Sequence, residues 1–328
     1  MQRLRLRPIT VYGLFTALTF IITFLFFSIF TPNHLFLDPR NLASMAKLTP
    51  DIGIVALGIG ILMIAGEFDL SIVSIIPFCS YIYTQLIMNG MDPLLAFILI
   101  LPVGASFGLI NGLLVVSTGL PSFIITLSTM LFWRGVLFGV SHVMPISIIK
   151  YVSGSPIEKI LVGQIGPIPN QIIWFLFFAV ILGLMLHQTK FGNWIYATGS
   201  NQEAARAMGI NIRMVKTICY MIIGVLCAWT AVMQAVRLGS FFATQGIGFE
   251  LKTIAAVVVG GTALTGGVGS MLGICLGVFI IRILENGVIL MKWPIIGNLP
   301  VFGIELFIGV ALVIFVLLNT YANRRMAR

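Results

Sequence analysis

The sequence predicts an all-α polytopic membrane protein, with about ten transmembrane helices and interruptions in some of them. Three observations carry this. Of 328 residues, 59% are hydrophobic and only 9% are charged, whereas a soluble domain needs roughly 25% charged residues to clothe its surface. Apolar runs of about 20 residues, long enough to cross a hydrocarbon core, recur from end to end. They are continuous rather than alternating every second residue, which excludes an outer-membrane barrel. No linker or composition break divides the chain, so residues 1–328 read as a single transmembrane domain.

The spans fall at about 11–30, 51–66, 71–88, 94–117, 122–140, 172–187, 213–236, 251–264, 270–291 and 301–319. The first has a basic head like a signal peptide. Its apolar part is too long and no small-x-small cleavage site follows, so it reads as an uncleaved span. An even number of spans puts both termini on one side. The net charge is +9, and its placement fits the positive-inside rule. Arg3, Arg5 and Arg7 precede the first span, Lys190, Arg206, Arg213 and Lys216 fill the central loop, and Arg324, Arg325 and Arg328 close the chain. The basic excess therefore reads as topology rather than nucleic-acid binding. Both termini and the loop 187–213 are expected in the cytoplasm. Residues 31–50 and the Pro-, Gly- and Ser-rich stretch 141–171 are expected outside.

Cys79, Cys219, Cys227 and Cys275 lie inside apolar runs and read as small buried hydrophobes. His34, His142 and His187 show no metal-ligand spacing. Arg282 and Glu285, three apart on one helix face, are expected to pair. Arg134 and Arg237 lie near the outer ends of their spans, where snorkelling suffices.

Two spans are broken. "IAGEFDLSIVS" (64–74) sets Glu67 and Asp69 between apolar stretches, and "GGTALTGGVGS" (260–270) holds five glycines in eleven residues. Non-helical backbone is tolerated in a membrane only where protein or a water-filled cavity surrounds it. Both breaks are therefore candidates for lining a path, with Asp69, Ser71, Ser74, Asn111, Gly266, Gly267, Gly269 and Asn286 along it. Val73-Ser74 aligns with Gly269-Ser270, and each break is followed by an Asn-Gly, at Asn111-Gly112 and Asn286-Gly287, which suggests internal duplication. The span count makes the two breaks parallel. Asp69 has two readings: a polar wall of the path, or a carboxylate satisfied by backbone N–H groups at the start of the next helix. The glycine cluster is not a P-loop, since no Lys-Ser/Thr follows it. Gly269, Gly273 and Gly277 recur every four residues and read as close helix packing.

The central loop carries "GSNQEAARAMGINIRMVK" (199–216). Ser200 and Glu203 fit a capping box. Gly209 sits where a left-handed C-cap would stop a helix. Between them, Ala204 and Ala205 would give a short rigid helix a small flat face beside Arg206, suited either to an ordinary surface or to docking in a groove with rim charges. "GIGFELK" (246–252) places Phe249 and Glu250 at the outer end of a span, where they could form a gate or meet a binding protein.

"YATGSNQEAARAMGINIRMVK" resembles the cytoplasmic loop of ribose-type monosaccharide permeases of ATP-binding-cassette importers. In that family the loop carries an EAA…G element that docks into the ATPase subunit. "GEFDLSIVSI", "NGLLVVSTGLPSFIITLSTMLFWRG", "GIGFELKTIAAVVVGGTALTGGVGSMLG" and "LENGVILM" resemble four further blocks of the family, in order over about 250 residues. The resemblance implies the permease fold of vitamin B12-type importers in the bacterial inner membrane. It implies a pair of permeases around a central path, ATP-binding subunits below and an extracytoplasmic binding protein above. The chain itself carries no ATPase or other catalytic motif and no cofactor; ATP and Mg would be bound by the partner subunits. Ser200, Glu203, Ala204, Ala205, Arg206 and Gly209 would be the coupling residues. Two positions depart from the family pattern: Glu67 stands where Gly is usual, and Val73 replaces another Gly. Such a break could alter what passes, or mark one half of a heteromeric pair. The alternatives are a branched-chain amino-acid permease of the same class and an ion-coupled secondary transporter using Asp69 and Glu67.

Overall fold

The computed structural model describes residues 8–291 together with 309, 310 and 313; of residues 8–12 only the backbone is described. The expected span 301–319 and the C-terminal arginines lie outside these residues, apart from those three positions. The helices are α1 (Pro8–Phe30), α2 (Pro39–Ile64), α3 (Ile72–Met88), α4 (Pro93–Thr118), α5 (Ser122–Ser141), α6 (Ile149–Val152), α7 (Pro156–Val162), α8 (Asn170–Gln188), α9 (Lys190–Ser200), α10 (Gln202–Ala207), α11 (Ile212–Leu238), α12 (Phe249–Val259) and α13 (Met271–Met291). Among the described residues seven of them, α1, α2, α4, α5, α8, α11 and α13, are long and apolar enough to cross a bilayer. The chain is therefore a multi-pass membrane protein. α2, α4 and α8 finish at one end of the bundle, the lower end, where α3, α5, α11 and α13 begin.

Two expected spans change shape. Residues 39–50, read as part of an outer segment, belong to α2: the Asp38 carboxylate accepts the Arg40 N–H at 2.7 Å and Pro39 fills the first turn, so the helix starts early and runs 26 residues. The span expected at 251–264 is a helix of only 11 residues, α12, about 16 Å long. It stops because Gly261 takes φ 87°, a left-handed turn that lets Gly261 and Thr262 N–H groups close back on Val258 and Val257.

The stretch 141–171 is not an open loop. It folds over the upper end as α6, α7 and a hairpin of β2 (Gln164–Ile165) and β3 (Ile168–Pro169). β1 (Ile146–Ser147) pairs antiparallel with β4 (Ser240–Phe241), with Ile146 opposite Phe241. Ile148, Val152, Ile157 and Leu161 are buried and join the main core.

α2 and α11 are the central helices. Nine-tenths of the α2 span and 72% of the α11 span are buried, against 17% for α1 and 11% for α5, so α1 and α5 are peripheral. α4 lies against α11 along Gly104, Gly108 and Gly112. A Cβ at Gly108 would stand 2.1 Å from the Tyr220 carbonyl oxygen, and one at Gly104 2.2 Å from that of Gly224. Small residues every four positions let the two backbones touch, which dispersion rewards where no hydrophobic effect separates helix from lipid.

We expect Gly108→Val to separate α4 from α11, since overpacking costs about 1–3 kcal/mol and here the obstacle is backbone. Gly139→Ala, with nothing within 4 Å of the added carbon, is the matched control. Monodispersity and melting in detergent should fall for the first and not for the second.

Candidate functional site

The first break runs from Ala65 to Ser71. α2 ends at Ile64, Gly66 turns the chain at a φ of 86° that would strain any side chain, and the Glu67 N–H closes back on the Leu62 carbonyl at 3.1 Å. The freed backbone groups are then taken by side chains of neighbouring helices. The Phe68 N–H donates to Ser122 Oγ at 3.0 Å, the Leu70 N–H to Thr126 Oγ1 at 3.2 Å, and the Tyr220 hydroxyl donates to the Phe68 carbonyl at 2.9 Å. Ser122 and Thr126 of α5 and Tyr220 of α11 are site residues that sequence reading missed. Their signal was present only as polar residues inside apolar runs.

Asp69 is fully buried. One carboxylate oxygen accepts the Ser71 N–H at 2.8 Å and the Ser71 hydroxyl at 2.5 Å, and Asn111 Nδ2 donates to Ser71 Oγ at 2.6 Å. Ser74 Oγ donates to the Ser71 carbonyl at 2.8 Å. Asp69, Ser71, Ser74 and Asn111 therefore form one cluster at the start of α3. The turn is the side-chain-to-backbone kind that Asp favours two residues before an N–H.

Glu67, the departure from the expected Gly, is also buried and forms an ion pair with Lys216 of α11. Neither partner could stay charged there alone without a large desolvation cost.

The second break, 260–270, places Gly261, Gly266 and Gly267 in the left-handed region. Gly260, Gly273 and Gly277 bring α12 and α13 into backbone contact: a Cβ at Gly277 would be 1.9 Å from the Ala256 carbonyl. Gly269 does not belong to that stripe. It lies in the loop, where a Cβ would strike Ile64 and Thr262, and its carbonyl accepts the Tyr196 hydroxyl of α9 at 2.7 Å.

The two breaks meet. The Gly267 N–H donates to the Ile64 carbonyl at 2.8 Å. A Cβ on Gly266 would stand 2.8 Å from Gly66 Cα and 3.0 Å from the Gly199 carbonyl, and one on Gly199 would stand 1.9 Å from the Ile64 carbonyl and 2.6 Å from the Gly267 nitrogen. Gly199, the penultimate residue of α9, thus wedges its bare backbone between both breaks. Sequence reading gave Gly199 no role. Both breaks lie at the lower end, so the two helix–break–helix units run parallel.

α10 follows directly. Its N-cap is Asn201, not Ser200: Asn201 is extended (φ −159°) and its Oδ1 accepts the Ala204 N–H at 3.0 Å, while Ser200 is still helical and finishes α9. The capping box expected between Ser200 and Glu203 does not form, and Glu203 is exposed in the first turn. Gly209, at φ 80°, closes the helix with the Ile210 N–H on the Ala205 carbonyl at 3.1 Å. The flat Ala204-Ala205 face is split. Ala205 is fully buried beneath the helix, and the outward face consists of Glu203, Ala204, Arg206, Ala207 and Met208, the last 69% exposed.

Other expected site residues lie elsewhere. Asn286 exchanges two amide hydrogen bonds with Asn41 at 3.0 and 2.8 Å, near the upper end and apart from Asp69. Phe249 and Glu250 open α12, half-buried, with Thr253 Oγ1 donating to both their carbonyls. Arg282 pairs with Glu285 at 3.1 Å as its spacing implied, and Lys252 of α12 joins them at 2.7 Å. Arg237 does not snorkel. It forms an ion pair with buried Asp51 of α2, because α2 extends upward past the end of α11 and offers it a carboxylate. All four cysteines are free thiols, and Cys79, Cys219 and Cys227 are buried. Among the described residues no group of His, Cys, Asp and Glu could hold a metal ion.

Membrane-crossing helices, two interrupted pairs meeting at their breaks, and the end of α9 seated against both define a membrane permease. Residues 41–318 match the family described as the permease component of the branched-chain amino acid transport system, and the chain belongs to that family. It is 36% identical over 289 residues to the ribose import permease of Bacillus subtilis, covering 85% of this chain and 86% of the relative. It is 32% identical over 277 residues to the ribose import permease of Escherichia coli K12, covering 80% and 82%. It is 30% identical over 321 residues to the xylose/arabinose import permease of Sulfolobus acidocaldarius, covering 95% and 85%. No solved structure matches.

The bonding of Asp69 yields a paired prediction. Asp69→Asn keeps an oxygen for the Ser71 N–H and should fold and function near normally. Asp69→Ala leaves that N–H without its partner in a buried turn, at about 1–3 kcal/mol, and should yield poorly folded protein. Solute uptake normalised to folded protein, with detergent melting for both variants, decides. A stable but transport-dead Asp69→Asn would make the carboxylate charge part of the mechanism.

Proposed function

We propose that this chain is the membrane-spanning subunit of an ATP-binding-cassette importer that passes a small polar solute, a monosaccharide or related polyol. The carrying observation is Gly199: the segment that leads into the capped helix α10 touches the backbone of both interrupted helices. A push on α10 therefore reaches both breaks without passing through a flexible side chain. The kinship with ribose and xylose/arabinose import permeases supports a sugar over a branched-chain amino acid, although the family description names the latter.

In this reading the lower end is cytoplasmic. The chain is one transmembrane domain of ten spans in the bacterial inner membrane, with both termini inside and the permease fold of vitamin B12-type importers. α10 docks into an ATPase subunit through Glu203, Ala204 and Met208, with Arg206 turned toward the cavity beside it, and that subunit binds ATP and Mg. A second permease completes the path, and a soluble binding protein delivers solute near Phe249 and Glu250. This chain makes no covalent bond; it converts a movement of α10 into access from one side or the other. Asp69, Ser71, Ser74 and Asn111, with Gly266, Gly267 and Gly269, shape the lower part of the path. An ion-coupled secondary transporter is less favoured, because the carboxylates it would use are engaged, Asp69 with Ser71 and Glu67 with Lys216.

Gly209→Val forces a β-branched residue into a left-handed turn at about 1–2 kcal/mol, and Glu203→Lys reverses the charge on the exposed face. Both should insert and fold while losing most ATPase pull-down and uptake. Normal uptake in both variants would remove the docking role of α10.

A further inference from the structure

Glu67 is a wall of two cavities. One, of about 490 Å3, is lined by Gly66, Glu67, Phe68, Leu70, Ser122 and Ile254 among others. The other, of about 370 Å3, is lined by Glu67, Val116, Gln202, Arg206, Arg213 and Lys216 among others, and so reaches the coupling helix α10. Among the described residues, Glu67 and Pro121 line both. The Glu67 carboxylate is turned into the second cavity, where Lys216 holds it. Arg206, one of the exposed residues of α10, faces the same cavity, as does Arg213. The break that carries Glu67 rests on Gly199 and Gly266, so a shift of α9 and α10 displaces it directly.

We propose that the Glu67–Lys216 pair is a closed inner gate between these two cavities, and that movement of α10 opens it by drawing the Glu67 carboxylate from Lys216 toward Arg206. This rests on the importer reading and adds the gate to it. The chemistry suits the role. A buried pair is costly to break when one partner is left uncompensated, so the closed state is well defined. A second cation within the same cavity supplies the compensation that lets the carboxylate leave. A neutral polyol then passes a flexible pair of side chains rather than a packed apolar plug. A glycine at position 67, as the resembling family usually has, would leave no such latch.

The test uses the full complex, chain plus ATPase subunit and binding protein, in inside-out vesicles. Ser122→Cys places a thiol in the first cavity only, and Ile254→Cys gives a second position there. A charged methanethiosulfonate is added from the cytoplasmic side, and the native cysteines are subtracted with the chain lacking the added thiol. With the native pair, labelling should be slow at rest and rise with ATP. In Glu67→Gln with Lys216→Met, which leaves no unpaired charge, labelling at rest should be about tenfold faster. In the exchange Glu67→Lys with Lys216→Glu it should return to the slow rate. Equal rates for the native and neutralised pairs, or fast labelling of the native pair at rest, would overturn the gate. If the chain captures no ATPase subunit at all, it is the importer reading that fails.

Discussion

The structure depends on one contact without side chains. Gly199 lies against the Ile64 carbonyl and the Gly267 nitrogen, while Gly266 lies against Gly66. Four glycines, from the end of α2, the end of α9 and the loop before α13, fill one small volume with backbone alone. Interiors are packed to crystal-like density, so such a joint does not absorb a displacement. It passes it on. Every other feature of the lower end, from the Asp69 turn to the ion pair of Glu67, is hung from one of these three segments.

The cost of interrupting two helices in a membrane is met locally. Backbone groups released at the first break are claimed by Ser122, Thr126 and Tyr220. Those released at the second are claimed by Tyr196 and by the Ile64 carbonyl. The first break is thus held by protein except where it lines a cavity, which is the condition under which irregular backbone survives in hydrocarbon, while Leu264 and Val268 of the second are exposed. The side-chain partners come from α5, α9 and α11, so the same bonds that satisfy the breaks also fix them to the helices around them.

The upper end is built on different physics. There ion pairs replace glycine contacts: Asp51 with Arg237, and Lys252 and Arg282 with Glu285. They join α2 to α11 and α12 to α13 through flexible charged groups. The bundle is therefore joined by bare backbone at the lower end and by charged side chains at the upper.

Much was legible from the residues alone. Apolar run length sets the membrane class, because no other solvent tolerates that surface. Local rules also located both breaks and the C-cap at Gly209, since left-handed turns and uncompensated polar groups are decided within a few residues. Local rules misplaced the N-cap, because Ser200 and Asn201 are both competent and only the end of α9 decides between them. They were also blind to partners far along the chain. Nothing near Arg237 announces Asp51, nothing near Glu67 announces Lys216, and nothing near Asn286 announces Asn41. Gly199 looks like an ordinary loop glycine until two breaks, one about 130 positions before it and one about 70 after, close around it. Tertiary structure alone decided these, because desolvation makes each buried polar group or bare backbone depend on whichever segment the fold brings to it.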